Sequence, residues 1–251
     1  MSAQGHELPE RVLPRVIYES LSKRVLGQDE VLKKIAVAVY KHINSLKAGN
    51  VLLIGNSGTG KTTIMQAIQH FYREREELAS FQAMVIMNAN LLQGDEKSSV
   101  NLMRLFRNLE TSVVKLAGPN ITPDELKSLM EHATVCIDEV DKISSRISDA
   151  VSPTGIAIQQ ALLTLLEGET VLYNPVLISD RSEKIQIDTS HMLFVCGGAF
   201  EGLYDQVLSL IMQHKDERQL KETLRMKGGD GPQVRLLLQL EGQPEALRSV
   251  C

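Results

Sequence analysis

The run Asn50-Val51-Leu52-Leu53-Ile54-Gly55-Asn56-Ser57-Gly58-Thr59-Gly60-Lys61-Thr62 constrains the fold of this chain more than any other. Apolar residues of strand type lead into a glycine-rich turn, and Lys-Thr then opens a helical pattern. The octet from Gly55 to Thr62 fits G-x-x-x-x-G-K-[ST], a phosphate-binding loop. The chemistry needs those residue types. Glycines let consecutive backbone N–H groups turn inward and approach phosphate oxygens with no Cβ in the way. A helix starting near Lys61 aims its positive dipole end at the same place. Lys61 adds a cation for the β- and γ-phosphates, and the Thr62 hydroxyl suits a Mg²⁺ ligand. The alternative is an ordinary glycine turn between strand and helix. It is disfavoured because Thr63 to Arg73 continues as a helix with Ile64, Ile68 and Phe71 on one face. The expected nucleotide-binding set is Gly55, Asn56, Ser57, Gly58, Thr59, Gly60, Lys61, Thr62 and Thr63.

Strands and helices alternate through the rest of the chain. Pro14 to Arg24 reads as a short helix ended near Gly27. Gln28 to Lys47 reads as a longer one, with Val31, Ile35, Val39 and Ile43 at helical spacing. Phe81 to Met87 is a second apolar strand. Asp95 to Leu116 is helical, carrying Leu102, Leu105, Phe106 and Leu109 on one face, and Gly118-Pro119-Asn120 breaks it. Thr122-Pro123-Asp124-Glu125 is a capping box that starts another helix. Ala133 to Ile137 is a third strand. A helix from about Ile156 to Glu167 follows, its stripe of Ile158, Ala161, Leu162, Leu165 and Leu166 reading as core, and Gly168 ends it. Met192 to Val195 is a fourth strand, closed by Gly197-Gly198. Such alternation implies an α/β fold, a parallel sheet sandwiched by helices. In such sheets ligands sit at the carboxyl ends of the strands, where the glycine loop falls. Beyond that, Glu201 to Met226 can be helical, Gly228-Gly229-Asp230-Gly231-Pro232 breaks the chain, and Val234 to Leu240 is a single apolar run. The expected division is a nucleotide-binding α/β domain over 1–205 with an N-terminal helical segment, then a helical extension and poorly defined tail over 206–251.

Composition narrows the partners. The chain has 251 residues, 43% of them hydrophobic, and a formal net charge of −4. That length supports one sizeable α/β domain with an appendage. The mild acidity offers no electrostatic case for nucleic acid or an anionic membrane. Met1 to Glu10 is polar and unlike a secretory signal, and no apolar run approaches membrane-spanning length. Cys136, Cys196 and Cys251 show neither pairing nor metal-like spacing, which fits a reducing, cytoplasmic setting. The histidines are scattered; His132 and His191, each preceding an apolar strand, read as structural or solvated.

A second half of the site lies at Ala133-Thr134-Val135-Cys136-Ile137-Asp138-Glu139, an apolar strand ending in paired carboxylates. After a phosphate loop this is the Walker B pattern. Asp138 would hold Mg²⁺, and Glu139 would orient and deprotonate the attacking water. Asp-Glu in place of a lone Asp favours a hydrolase over a kinase. Asp141 and Lys142, just beyond, read as a solvated turn.

Several motifs together resemble the AAA+ ATPases, in particular the ClpX type, and less closely HslU. Arg24-Val25-Leu26-Gly27-Gln28 followed by Ala36 to His42 is similar to that family's adenine-side segment. The Walker B run Ile137-Asp138-Glu139-Val140-Asp141-Lys142-Ile143, the run Gln159-Gln160-Ala161-Leu162-Leu163, and Cys196-Gly197-Gly198-Ala199-Phe200 resemble later pieces in the same order. The resemblance spans roughly residues 12–205. It implies the P-loop NTPase fold of an AAA+ large domain, ATP/ADP and Mg²⁺ as ligands, and base contacts from Val25 and Leu26. Lys61 and Glu139 take the catalytic roles, and Thr62 and Asp138 the metal. It further implies self-association into a ring, usually a hexamer, with a protein substrate or protease as partner. The chain departs from the family at several places. It has no Cys-x-x-Cys module, and Asn88 to Asp95 lacks the aromatic residue of the substrate-gripping pore loop. No arginine-finger segment or lid domain aligns. The leading expectation is Mg-dependent ATP hydrolysis coupled to remodelling of a protein substrate. The alternative is a hydrolysis-poor assembly or adaptor module that co-assembles with a longer relative, or a truncated form of a longer AAA+ ATPase.

Overall fold

The computed structural model describes residues 12–93, 101–143, 146–147, 150–151, 153–179, 184–200 and 235–238. In chain order the elements are α1 (Pro14–Ser22), α2 (Asp29–Ile43), β1 (Val51–Ile54), α3 (Lys61–Arg73), β2 (Met84–Asn88), α4 (Leu102–Ala117), α5 (Pro123–Glu131), β3 (Thr134–Asp138), β4 (Arg146–Ile147), β5 (Ala150–Val151), α6 (Pro153–Leu166), β6 (Thr170–Tyr173), β7 (Ile185–Asp188), β8 (Leu193–Gly198) and β9 (Arg235–Leu238). Short 3₁₀ segments join some of them. The main sheet has the order β2-β3-β8-β1-β9. The first four strands in that order run parallel, and β9 lies antiparallel on β1.

The parallel strands carry helices on both faces and are accordingly mostly apolar. Successive residues feed two separate cores, as the period of two requires. Val51, Leu53, Met84, Cys136, Leu193 and Val195 join the core under α1, α2 and α3. Val85, Met87, Val135, Ile137, Phe194 and Cys196 join the core under α4, α5 and α6. The helices present the faces their spacing predicts. Val31, Ile35, Val39 and Ile43 of α2 and Ile64, Ile68 and Phe71 of α3 are buried. The capping box forms as expected: Thr122 Oγ1 accepts the Glu125 N–H at 3.2 Å, and the Glu125 carboxylate accepts the Thr122 N–H at 2.8 Å.

The structure corrects several boundaries. Phe81 is not strand; it ends a 3₁₀ segment, Glu76–Phe81, and β2 begins at Met84. Its ring instead packs edge-on against His42 and His132, an aromatic task that an apolar run does not reveal. Gly197 and Gly198 do not close the fourth strand; they are its last two residues, paired with Leu53 and Ile54. Between α6 and β8 the structure adds an antiparallel pair, β6 and β7, for which the sequence pattern gives no expectation. Its signal is weak because only Tyr173 of β6 is buried. Of the helix expected over Asp95 to Leu116, the part from Leu102 is observed, capped by the Asn101 side chain on the Arg104 N–H at 3.1 Å. The expected helix at Glu201 to Met226, the glycine run after it and Cys251 lie outside the described residues.

Candidate functional site

Parallel strands present their carboxyl ends together, so everything that follows β1, β2, β3 and β8 gathers at one edge of the sheet. From β1 the chain enters the loop 55–60. Gly58 and Gly60 have φ of +80° and +91°, a region that glycine adopts without the steric penalty other residues carry. An ideal Cβ built on either meets nothing within 4 Å, so the loop borders open space. The Thr59 hydroxyl donates to the Asn56 carbonyl at 2.8 Å and tightens the turn. The Gly55 N–H donates to the Gly198 carbonyl at 3.2 Å and ties the loop to β8. Asn56, Ser57 and Gly58 are exposed, as are Thr62 and Thr63 in the first turn of α3.

Lys61 is 9% exposed. Its ammonium donates to the carbonyls of Gly55 at 2.5 Å and Asn56 at 3.0 Å, so the cation already sits within the loop. The Thr62 hydroxyl donates to Asp138 Oδ2. That bond joins the start of α3 to the end of β3, placing a hydroxyl and a carboxylate from distant parts of the chain side by side. Such a pair of hard oxygen donors, next to a cradle open for phosphate, fits Mg²⁺, which takes few protein ligands and completes its shell with water and phosphate oxygens. Among the described residues no group of three or more His, Cys, Asp or Glu could hold a metal by itself.

Glu139 follows in a left-handed conformation, φ +58° and ψ +39°. A non-glycine residue there is strained by about 1–2 kcal/mol and persists only when its surroundings fix it. The Asp138 Oδ1 accepts the Glu139 N–H at 2.9 Å, and the Asn88 amide donates to Glu139 Oε2 at 2.5 Å. The β2–β3 register explains the second contact, since Asn88 lies directly opposite Asp138. Asn88 is a site residue that sequence reasoning missed as such. A single asparagine after an apolar strand carries no motif, and only its alignment with Asp138 marks it.

Two further residues set the floor of the site. An ideal Cβ on Gly197 would stand 2.9 Å from Met65 Cε and 3.1 Å from Asp138 Oδ1. Glycine therefore lets β8 pass close to the carboxylate. Gln28, 9% exposed, donates its amide to the Thr59 carbonyl at 3.3 Å and joins the segment expected to lie on the adenine side to the loop. In that segment the two expected base contacts part company. Val25 is packed into the core at 5% exposure, whereas Leu26 stands out in solvent at 86%. Burial pushes the Cys196 thiol up to about 12 and the Cys136 thiol well above its usual range, so both are neutral core thiols. Among the described residues no helix is long and apolar enough to cross a membrane.

Comparison with known proteins agrees with this geometry. The family model for the AAA domain (Cdc48 subfamily) matches residues 46–227. The ATP-dependent Clp protease ATP-binding subunit ClpX of Porphyromonas gingivalis is 32% identical over 225 residues, covering 82% of this chain and 50% of that protein. The same subunit of Treponema denticola is 30% identical over 207 residues, covering 76% of this chain and 45% of that protein. The chain thus spans about half the length of the curated relatives it matches. By the family match, by these relatives and by the parallel sheet with its glycine loop, the chain belongs to the AAA domain family, and within it to the ATPases of the ClpX type.

Proposed function

We propose that the carboxyl edge of the sheet binds ATP with Mg²⁺ and hydrolyses it. One observation carries the reading: the Thr62–Asp138 hydrogen bond, which brings the head of α3 and the end of β3 into a single site beside Lys61 and Glu139. The loop amides of residues 55–60 and the dipole of α3 hold the phosphates. Lys61 leaves the Gly55 and Asn56 carbonyls for the β- and γ-phosphate oxygens. Thr62 and Asp138 would hold Mg²⁺, which supplies charge neutralisation for the transferring phosphoryl group. Glu139 orients the attacking water and takes its proton. The Asn88 amide holds the Glu139 carboxylate in place before the water is engaged. Leu26, exposed next to Gln28, is offered to the base.

Two relatives are named as ATP-binding subunits of an ATP-dependent Clp protease. That supports a protease as partner; the proposal adds a ring of subunits, a protein as the remodelled substrate and a cytoplasmic setting. The second reading keeps nucleotide binding but makes it a signal for co-assembly with a longer relative. ATP turnover measured together with particle size separates them, on wild type, Lys61→Ala and Glu139→Gln. Turnover in a ring-sized species, abolished by both changes, supports the hydrolase. ATP binding that depends on Lys61 without turnover supports the assembly module. Turnover indifferent to Glu139→Gln would sink the first reading.

A further inference from the structure

Asp141 is a buried carboxylate that the reaction as described does not use. Its side chain is 10% exposed, and among the described residues its cation neighbour is Lys142 at 3.9 Å. Oδ2 accepts the Phe200 N–H at 3.3 Å, while Oδ1 is buried with no hydrogen-bond partner among the described residues. An under-satisfied buried carboxylate is unfavourable and calls for an explanation. Its position supplies one. Asp141 lies in the 3₁₀ turn that follows Glu139, Val140–Lys142, where the Lys142 N–H donates to the Glu139 carbonyl at 3.0 Å. Across from it stands Gly198, where an ideal Cβ would come within 2.7 Å of Asp141 Oδ1 and 2.6 Å of the Phe200 ring. The same Gly198 accepts the Gly55 N–H through its carbonyl. Phe200 is left-handed at φ +52°, as Glu139 is at φ +58°. The chain therefore folds its phosphate loop, the end of β8 and the turn bearing Glu139 into one continuous contact, closed by the Asp141 carboxylate.

We propose that Asp141, seated against Gly198 and Phe200, is a positioning residue that fixes the Glu139 turn relative to the phosphate loop. Asp141 touches no reacting atom in this role. It acts by holding the turn whose strained member is Glu139. Gly198 is glycine because any side chain would enter the space that Asp141 Oδ1 and the Phe200 ring occupy. The inference rests on the hydrolase reading for its effect on rate, and on hydrogen exchange for the clasp itself.

The test uses the full chain with Asp141→Ala, Asp141→Asn and Gly198→Ala. It reads kcat and KM for ATP, and the amide exchange of Phe200 and of residues 139–143. Asp141→Ala should lower kcat by roughly 10- to 100-fold, the scale of a small misplacement of a catalytic group, with KM little changed. Asp141→Asn keeps an oxygen acceptor for the Phe200 N–H and should recover most of the rate and the protection. In a Glu139→Gln background, Asp141→Ala should lower the rate no further, because the two act as one unit. Gly198→Ala should resemble Asp141→Ala. The proposal is overturned if Asp141→Ala keeps wild-type kcat while Glu139→Gln abolishes turnover. It is overturned equally if the Asn variant is as damaged as the Ala variant. Should wild type bind ATP without any Glu139-dependent turnover, the hydrolase reading fails and exchange decides. Loss of Phe200 protection in Asp141→Ala, kept in Asp141→Asn, upholds the clasp, and unchanged protection overturns it.

Discussion

The two ends of the parallel sheet are built on opposite principles. At the carboxyl end the chain carries a left-handed Glu139, a left-handed Phe200, a buried carboxylate oxygen without a partner among the described residues and a glycine loop bordering open space. At the amino end the same strands are closed by aromatic rings. His42, 4% exposed, hydrogen-bonds through Nε2 with the His132 carbonyl at 3.1 Å. Phe81 stands edge-on to His42 and His132, with centroids 5.2 Å and 5.5 Å away, and His132 stacks on His191 at 6.3 Å. His132 Nδ1 also meets the Ser128 carbonyl at 2.8 Å. Left-handed non-glycine backbone occurs at both ends, at Ser45 before β1 and at Glu139 after β3 and Phe200 just past β8, whereas the unmet carboxylate oxygen lies at the end where a ligand would meet it. The comparison teaches that substitutions at one end should cost rate, and at the other stability.

The sharpest break of that contrast is Glu139→Gln. Loss of a general base costs about 10²–10⁴-fold in rate, so kcat should fall by that order while ATP affinity persists. Steady-state turnover beside equilibrium nucleotide binding checks it, and a variant that loses stability instead would erase the distinction. At the other end, Phe81→Ala should destabilise by about 3–5 kcal/mol, as for other buried aromatic truncations, with turnover per folded molecule preserved. Denaturant unfolding measures the first part and activity titrated against folded fraction the second.

Acid should act on the amino end next. Burial pushes His42 down to about 4 from its ordinary 6.5. The unfolded chain therefore binds this proton more readily than the folded one. Stability from this group is complete above pH 6.5 and is lost as pH falls towards 4, on the order of 3 kcal/mol in all. His42→Gln should flatten that part of the stability–pH curve, and an unchanged curve would remove His42 from the account. Gly168→Ala sharpens the same point by a smaller amount. At φ +85° a new Cβ would stand 2.9 Å from Ser190 Cβ and 3.0 Å from its Cα, so a loss of about 1–3 kcal/mol is expected by thermal unfolding. Smallest of all, Leu26→Ala should leave stability within about 0.5 kcal/mol, since the side chain is exposed. Any effect it has should appear in nucleotide affinity.

The carboxyl end was the more legible of the two. The glycine loop and the Asp-Glu pair are local patterns whose chemistry demands particular residues in order, and a parallel sheet obliges them to meet. Helical faces were legible for the same local reason: the buried Ile64, Ile68 and Phe71 stand at the spacing of one turn. What escaped were pairings across the chain. Asn88 finds Glu139 through strand register, and Phe81 leaves its apolar run to pack against His42, 39 residues earlier, and His132, 51 residues later. Asp141 read as a solvated turn because its neighbours in sequence are charged or exposed. Its burial comes from Gly198 and Phe200, brought alongside by β8.

The sequence by itself determined the α/β class, the helical faces, the phosphate loop and the paired carboxylates, because each is a local pattern with a local physical cause. Only the tertiary structure decided that Thr62 meets Asp138, that Asn88 holds Glu139, that β9 lies antiparallel on β1, and that Val25 is core while Leu26 is free. Those outcomes depend on strand order, register and close approach of backbones. No window of neighbouring residues contains that information.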